Sequence, residues 1–196
     1  MDISSSSMSF AVATGLGDMT GVFLGHSIYF ALKRAIDPSI DVMKEVHTAI
    51  FLGSAAFCSG FVWQPTVTAL QTAGTLPVST VMIGAWAAGT VAFFSGLRVA
   101  RSIYSPFLHV APSSHKNFKD DVMLSTAIGG AAAGFVGTDT AYLAGDGNHL
   151  KDLVGIYESD EALTQMVKAG ESTGVGFLIV QTAQNITNSK GENWTD

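Results

Sequence analysis

From Thr48 to Leu97 the chain runs for fifty residues without one Asp, Glu, Lys, Arg or His. A water-soluble domain would turn several solvated faces outward over such a length, and each would carry charge. Two apolar helices crossing a bilayer need none, because roughly 20 apolar residues span the hydrocarbon core. Composition agrees: charged residues make up 13% of the 196, about half the share usual in soluble domains, while 47% are hydrophobic and 21 are glycine.

Five stretches approach spanning length: 8–32, 49–70, 78–97, 122–144 and 169–186. The second and third are joined by QTAGTLP, where glycine and proline interrupt helix, and read as a hairpin. The fifth is short, begins beside Lys168 and contains Glu171, so a helix lying at the interface is its rival reading. The expected fold is a single all-α integral membrane domain over 1–196, a bundle of four to five glycine-rich transmembrane helices with short loops.

The connections carry the charge. Lys33, Arg34 and Lys44 fall between the first two stretches, and Arg98, Arg101, Lys116 and Lys119 between the third and fourth. Loops rich in Lys and Arg stay on the inner side, which places the N-terminus outside and, with five spans, the C-terminus inside. The acidic loop 145–168 then lies outside, where its carboxylates either concentrate cations or simply solvate a loop. Two sequons, at Asn185 and Asn193, would need a lumenal C-terminus if used and read as chance matches. The first residues have no basic segment before the apolar one, so no removable signal is expected. A net charge of -6 argues against nucleic-acid binding. The lone Cys58 reads as a small core residue.

Within GLGDMTGVFLGH, residues 15–26, Gly17, Gly21 and Gly25 recur every fourth residue and form a helix strip without side chains. Gly130 and Gly134 repeat the device in the fourth stretch, and Gly170 and Gly174 in the fifth. Helices gain no hydrophobic free energy by associating in lipid, so close backbone approach must hold them together, and such strips mark where they meet.

Asp18 sits beside the first strip, and an ionised carboxylate at bilayer depth costs about 2.5 to 3.5 kcal/mol. It therefore faces protein or water. Either it exchanges a cation or proton, with His26 nearby, or it is a fixed hydrogen-bonding group that serves assembly. Asp139, near the end of its stretch, is a further carboxylate. On the fifth stretch Lys168, Glu171, Leu178 and Thr182 project to one side, with Gln181 at its edge; Lys168 and Glu171 can pair. That polar side would either line an aqueous path or lie at the interface. Pro65 removes an amide donor inside the second stretch and predicts a kink or break, with Gln64 able to satisfy a freed carbonyl.

Phosphate-loop, C-x-x-C and H-E-x-x-H motifs are missing, and the five His show no metal-ligand spacing. No cofactor, metal or enzymatic activity is expected. The favoured expectation is an oligomeric channel or transporter for a cation, proton or small solute, using Asp18, Glu171 and Asp139. It requires those carboxylates to converge. The alternative is a structural or assembly subunit among neighbouring membrane subunits, with a pigment-bearing variant in which His26 ligates a chlorophyll or haem.

Overall fold

The computed structural model describes residues 5–74, 77–108, 122–128 and 161–188. These are almost wholly helical, and no strand occurs among them. Four long helices result: α1 (Ser5–Ile36), α2 (Val42–Thr72), α3 (Val78–Leu108) and α4 (Glu161–Asn188). Residues 122–128 form a further helical stretch. Met8–Ile36, Val42–Val67 and Ile83–Phe107 are long and apolar enough to cross a membrane. That is the build of an integral membrane protein.

The helices outrun the lengths their apolar stretches predict. α1 has 32 residues, about 48 Å at 1.5 Å per residue, well beyond a hydrocarbon core of about 30 Å. α3 continues through Arg98 and Arg101 to Leu108, where a break at Leu97 is expected from charge alone. Both arginines lie within the Ile83–Phe107 stretch and are half-buried, so the helix carries them without ending there. α4 likewise starts at Glu161 rather than at 169.

Two compact turns set the direction of the chain. Between α1 and α2 the Asp37 carboxylate accepts from the Ser39 amide (3.0 Å) and hydroxyl (2.6 Å). Asp41 then caps α2, its carboxylate accepting from the amides of Met43 (2.9 Å) and Lys44 (3.3 Å). After α2, Gly74 adopts φ 150°, a conformation that favours glycine, and the Pro77 carbonyl accepts from Thr80 and Val81 to open α3.

Each helix packs on its neighbour in the order α4, α1, α2, α3. α1 and α2 are antiparallel: Gly15 meets Phe57, Phe23 meets Gly53, and His26 meets Glu45. α2 and α3 are antiparallel too, with Gly84 against Leu70 and Gly96 against Cys58. α4 runs parallel to α1, since Gly17 faces Met166, Gly21 faces Gly170 and Gly25 faces Gly174. α3 therefore ends, and α4 begins, at opposite ends of the bundle.

The core joins all of these: Val22 of α1, Leu52, Ala55 and Ala56 of α2, Phe93 and Leu97 of α3, Ile128, and Phe177 of α4. The outer surface is apolar as well. Leu24, Ile83, Val91 and Phe107 are each more than 60% exposed, which suits hydrocarbon and not water.

Candidate functional site

Gly17, Gly21 and Gly25 lie directly on α4 of the same chain. A Cβ at Gly21 would run into the Gly170 carbonyl oxygen, and one at Gly17 would lie 2.9 Å from the Ala169 Cβ. One at Gly25 would come 3.0 Å from the Gly174 carbonyl oxygen. The two backbones thus touch along two turns, too closely for any side chain. Gly130 and Gly134 lie outside the described residues.

That approach brings a hydroxyl to the carboxylate. Thr173 Oγ1 on α4 donates to Asp18 Oδ1 at 2.6 Å. The other carboxyl oxygen faces Gly60 of α2, where a Cβ would lie 2.6 Å from Oδ2 and 2.7 Å from the Thr14 carbonyl oxygen. Asp18 therefore occupies a three-helix junction that only glycine on α2 leaves open. Counting from the middle of the Met8–Ile36 span, it lies about 6 Å towards the N-terminal side.

His26 lies in the same seam, about 12 Å further along α1. Its Nε2 is 3.1 Å from the Glu45 carbonyl oxygen and 3.2 Å from Glu45 Oε2. Lys33 Nζ lies 3.8 Å from the other oxygen of Glu45. Phe177 of α4 presents its ring at 5.8 Å from that of His26, edge to face. The buried Nδ1 meets no hydrogen-bonding partner among the described residues. Between Asp18 and His26 the seam is filled by Val22 and Phe177, both fully buried. Among the described residues, apolar side chains thus lie between the two polar groups.

The remaining expected residues do not gather here. Glu171 is exposed on α4; two residues from Thr173, it projects about 200° round the helix from the side that meets Asp18. Thr182 is exposed and Gln181 half-buried, so Glu171 and Thr182 turn outward from the bundle. Asp139 lies outside the described residues, as do the side chains of Gln64 and Lys168. Pro65 is exposed and α2 runs through it unbroken to Thr72; the neighbouring Thr66 hydroxyl donates to the Val62 carbonyl at 2.8 Å. The helix thus continues through Pro65 without a break.

Three residues of the site are not evident from sequence patterning. Glu45 reads as loop charge, yet Asp41 before an apolar run is the N-cap signal that would have put it in the first turn of α2. Thr173 and Gly60 carry no local signal at all.

One cavity opens near the N-terminal ends of α1 and α4, an apolar groove of about 610 Å³ walled by Met8, Val12, Ala13, Leu16, Leu163 and Met166. It faces outward, and Asp18 is not among its walls. No group of three or more His, Cys, Asp or Glu able to hold a metal occurs among the described residues. No protein-family model, curated protein or solved structure matches this chain.

Proposed function

We propose that this protein is a multi-pass membrane subunit with a structural or assembly role, in which Asp18 is a fixed interhelical fastener and not a station on an ion path. The observation that carries this reading is the hydrogen bond from Thr173 to Asp18, closed off by Gly60. A permeation site needs carboxylates that converge on water, whereas Asp18 points into a helix junction and Glu171 points away from it. A pigment-bearing role draws no support from His26, whose Nε2 is held against Glu45.

The helix directions support a bundle of five spans. α3 ends at the opposite end of the bundle from the start of α4, and 122–144 is the apolar stretch expected between them. Lys33, Arg34 and Lys44 share the end of the bundle where α1 finishes and α2 starts. That end faces inward by the bias of basic residues, with the N-terminus outside.

The test is flux of protons and monovalent cations into liposomes containing the purified protein, native and Asp18→Asn, with folding followed by helix content. Both should match protein-free liposomes. Selective flux in the native protein that Asp18→Asn abolishes while staying folded would overturn the reading.

A further inference from the structure

Three of the four long helices are apolar enough to cross a membrane, and α4 is not among them. Between Ala169 and Ile186 its large apolar side chains are Val175, Phe177, Leu178, Ile179, Val180 and Ile186. On insertion scales a single charged side chain at a helix centre offsets roughly six of that kind. The same stretch holds Glu171 together with Gln181, Gln184 and Asn185. By itself α4 gains little from entering hydrocarbon.

Contact with α1 changes that balance. Ala169, Ser172, Thr173, Gly176, Phe177 and Val180 form one buried face at helical spacing. α4 meets the centre of the Met8–Ile36 span, where Gly21 faces Gly170 and Gly25 faces Gly174. Thr173 donates to Asp18 there, so a polar group of each helix is satisfied at the contact. Phe177 and Val180 complete the core with Val22 of α1. Gly21 decides whether the two helices can meet, because a Cβ there would run into the Gly170 carbonyl oxygen.

The direction of α4 gives its docking a consequence for the chain that follows. Since α4 is parallel to α1, a docked α4 carries that chain to the side where α1 ends. An undocked α4 leaves it on the side where α4 begins, which is the side of Ser5. With the N-terminus outside, that is the side on which N-x-[ST] sequons are modified. We infer that α4 is a conditional span, crossing the bilayer only while docked on α1, and that the sequons at Asn185 and Asn193 become glycosylation sites when docking fails. The inference rests on the membrane reading and its orientation, and is independent of whether Asp18 conducts.

The experiment is translation of the full chain, tagged at both ends, into sealed microsomes, followed by protease added outside the vesicles and, separately, by endoglycosidase. The native chain should keep its N-terminal tag, lose its C-terminal tag and carry no glycan. Gly21→Leu should protect both tags and raise the ratio of glycosylated to unglycosylated chain at least about tenfold, the scale of overpacking at a tight contact. Gly84→Leu, which crowds Leu70 between α2 and α3 instead, should behave as the native chain and so separates lost docking from general misfolding. Glu171→Leu added to Gly21→Leu should return the C-terminal tag to digestion, because α4 then crosses on its own apolar content. Both tags on one side in the native chain, tags still on opposite sides in Gly21→Leu, or no return in the double variant would each overturn the conditional span. A native chain that loses its N-terminal tag and keeps its C-terminal one would overturn the orientation and, with it, the role of the sequons. Extraction of the native chain by alkaline carbonate would overturn the membrane reading itself.

Discussion

Thr173 and Asp18 are 155 residues apart in sequence and 2.6 Å apart in space, the hydroxyl of one donating to the carboxyl of the other. The bond ties the last described helix to the first. Thr173→Val removes the donor and should lower resistance to denaturant by about 1 kcal/mol, within the range of interhelical hydrogen bonds in membranes. Thr173→Ser should restore most of it. Asp18→Asn keeps an acceptor and should cost less than Asp18→Leu; equal losses in both would exclude the hydrogen bond as the stabilising contact.

Backbone crowding leaves no room for a side chain at Gly21. Its added Cβ would meet the carbonyl of Gly170 and lie 2.9 Å from the Gly174 nitrogen, and neither atom can swing aside. Gly21→Ala should therefore destabilise the α1–α4 contact by about 1 to 3 kcal/mol, as overpacking does elsewhere. Gly25→Ala, whose Cβ would come no nearer than 3.0 Å to its neighbour, should cost less. Thermal denaturation in detergent, read alongside a cross-link between α1 and α4, ranks the two.

Glu45 holds His26 Nε2 through both its carboxylate and its backbone carbonyl. Glu45→Leu leaves a buried ring nitrogen with one partner fewer and should cost about 1 to 3 kcal/mol. His26→Leu in the same background should recover part of that loss, since the imidazole no longer needs the acid. A double-mutant cycle measures the coupling; additive losses would exclude it.

The turn between α1 and α2 responds to acid. The Ser39 hydroxyl, and then its amide, hold the Asp37 carboxyl below the usual carboxylate range. A depressed carboxylate stabilises the fold above its unfolded pKa, and the contribution disappears as pH falls through the folded value. Protease cleavage between Asp37 and Asp41 should thus be flat from about pH 8 to pH 6 and rise only below about pH 4. Asp37→Asn should abolish most of that rise.

Some of this architecture is legible in the residues and some is not, for physical reasons. Fifty uncharged residues expose the α2–α3 hairpin because hydrocarbon tolerates no other pattern. Helix ends are less visible: Arg98 and Arg101 look like loop, yet they lie within an unbroken helix that runs on to Leu108. The spacing of Gly17, Gly21 and Gly25 is readable as a strip, but its partner depends on the relative direction of α1 and α4, which no local pattern encodes. Glu45 is hidden for a similar reason, since its meaning comes from His26 across a turn. Glu171 and Asp18 look alike in sequence, two acids among glycines. Only packing separates the enclosed one from the outward one.

The parallel alignment of α1 and α4 has a consequence for how the protein is made. At about 5 to 20 residues per second, the 155 residues from Asp18 to Thr173 take roughly 8 to 30 s to synthesise. Throughout that interval the first helix is already made, while the hydroxyl that satisfies its carboxyl has yet to be translated. The nascent chain must shelter Asp18 at the insertion machinery, or leave it protonated in lipid, until the final helix arrives. Truncation before α4 therefore removes more than a helix: it strands an acid in the membrane and marks the unfinished product for quality control.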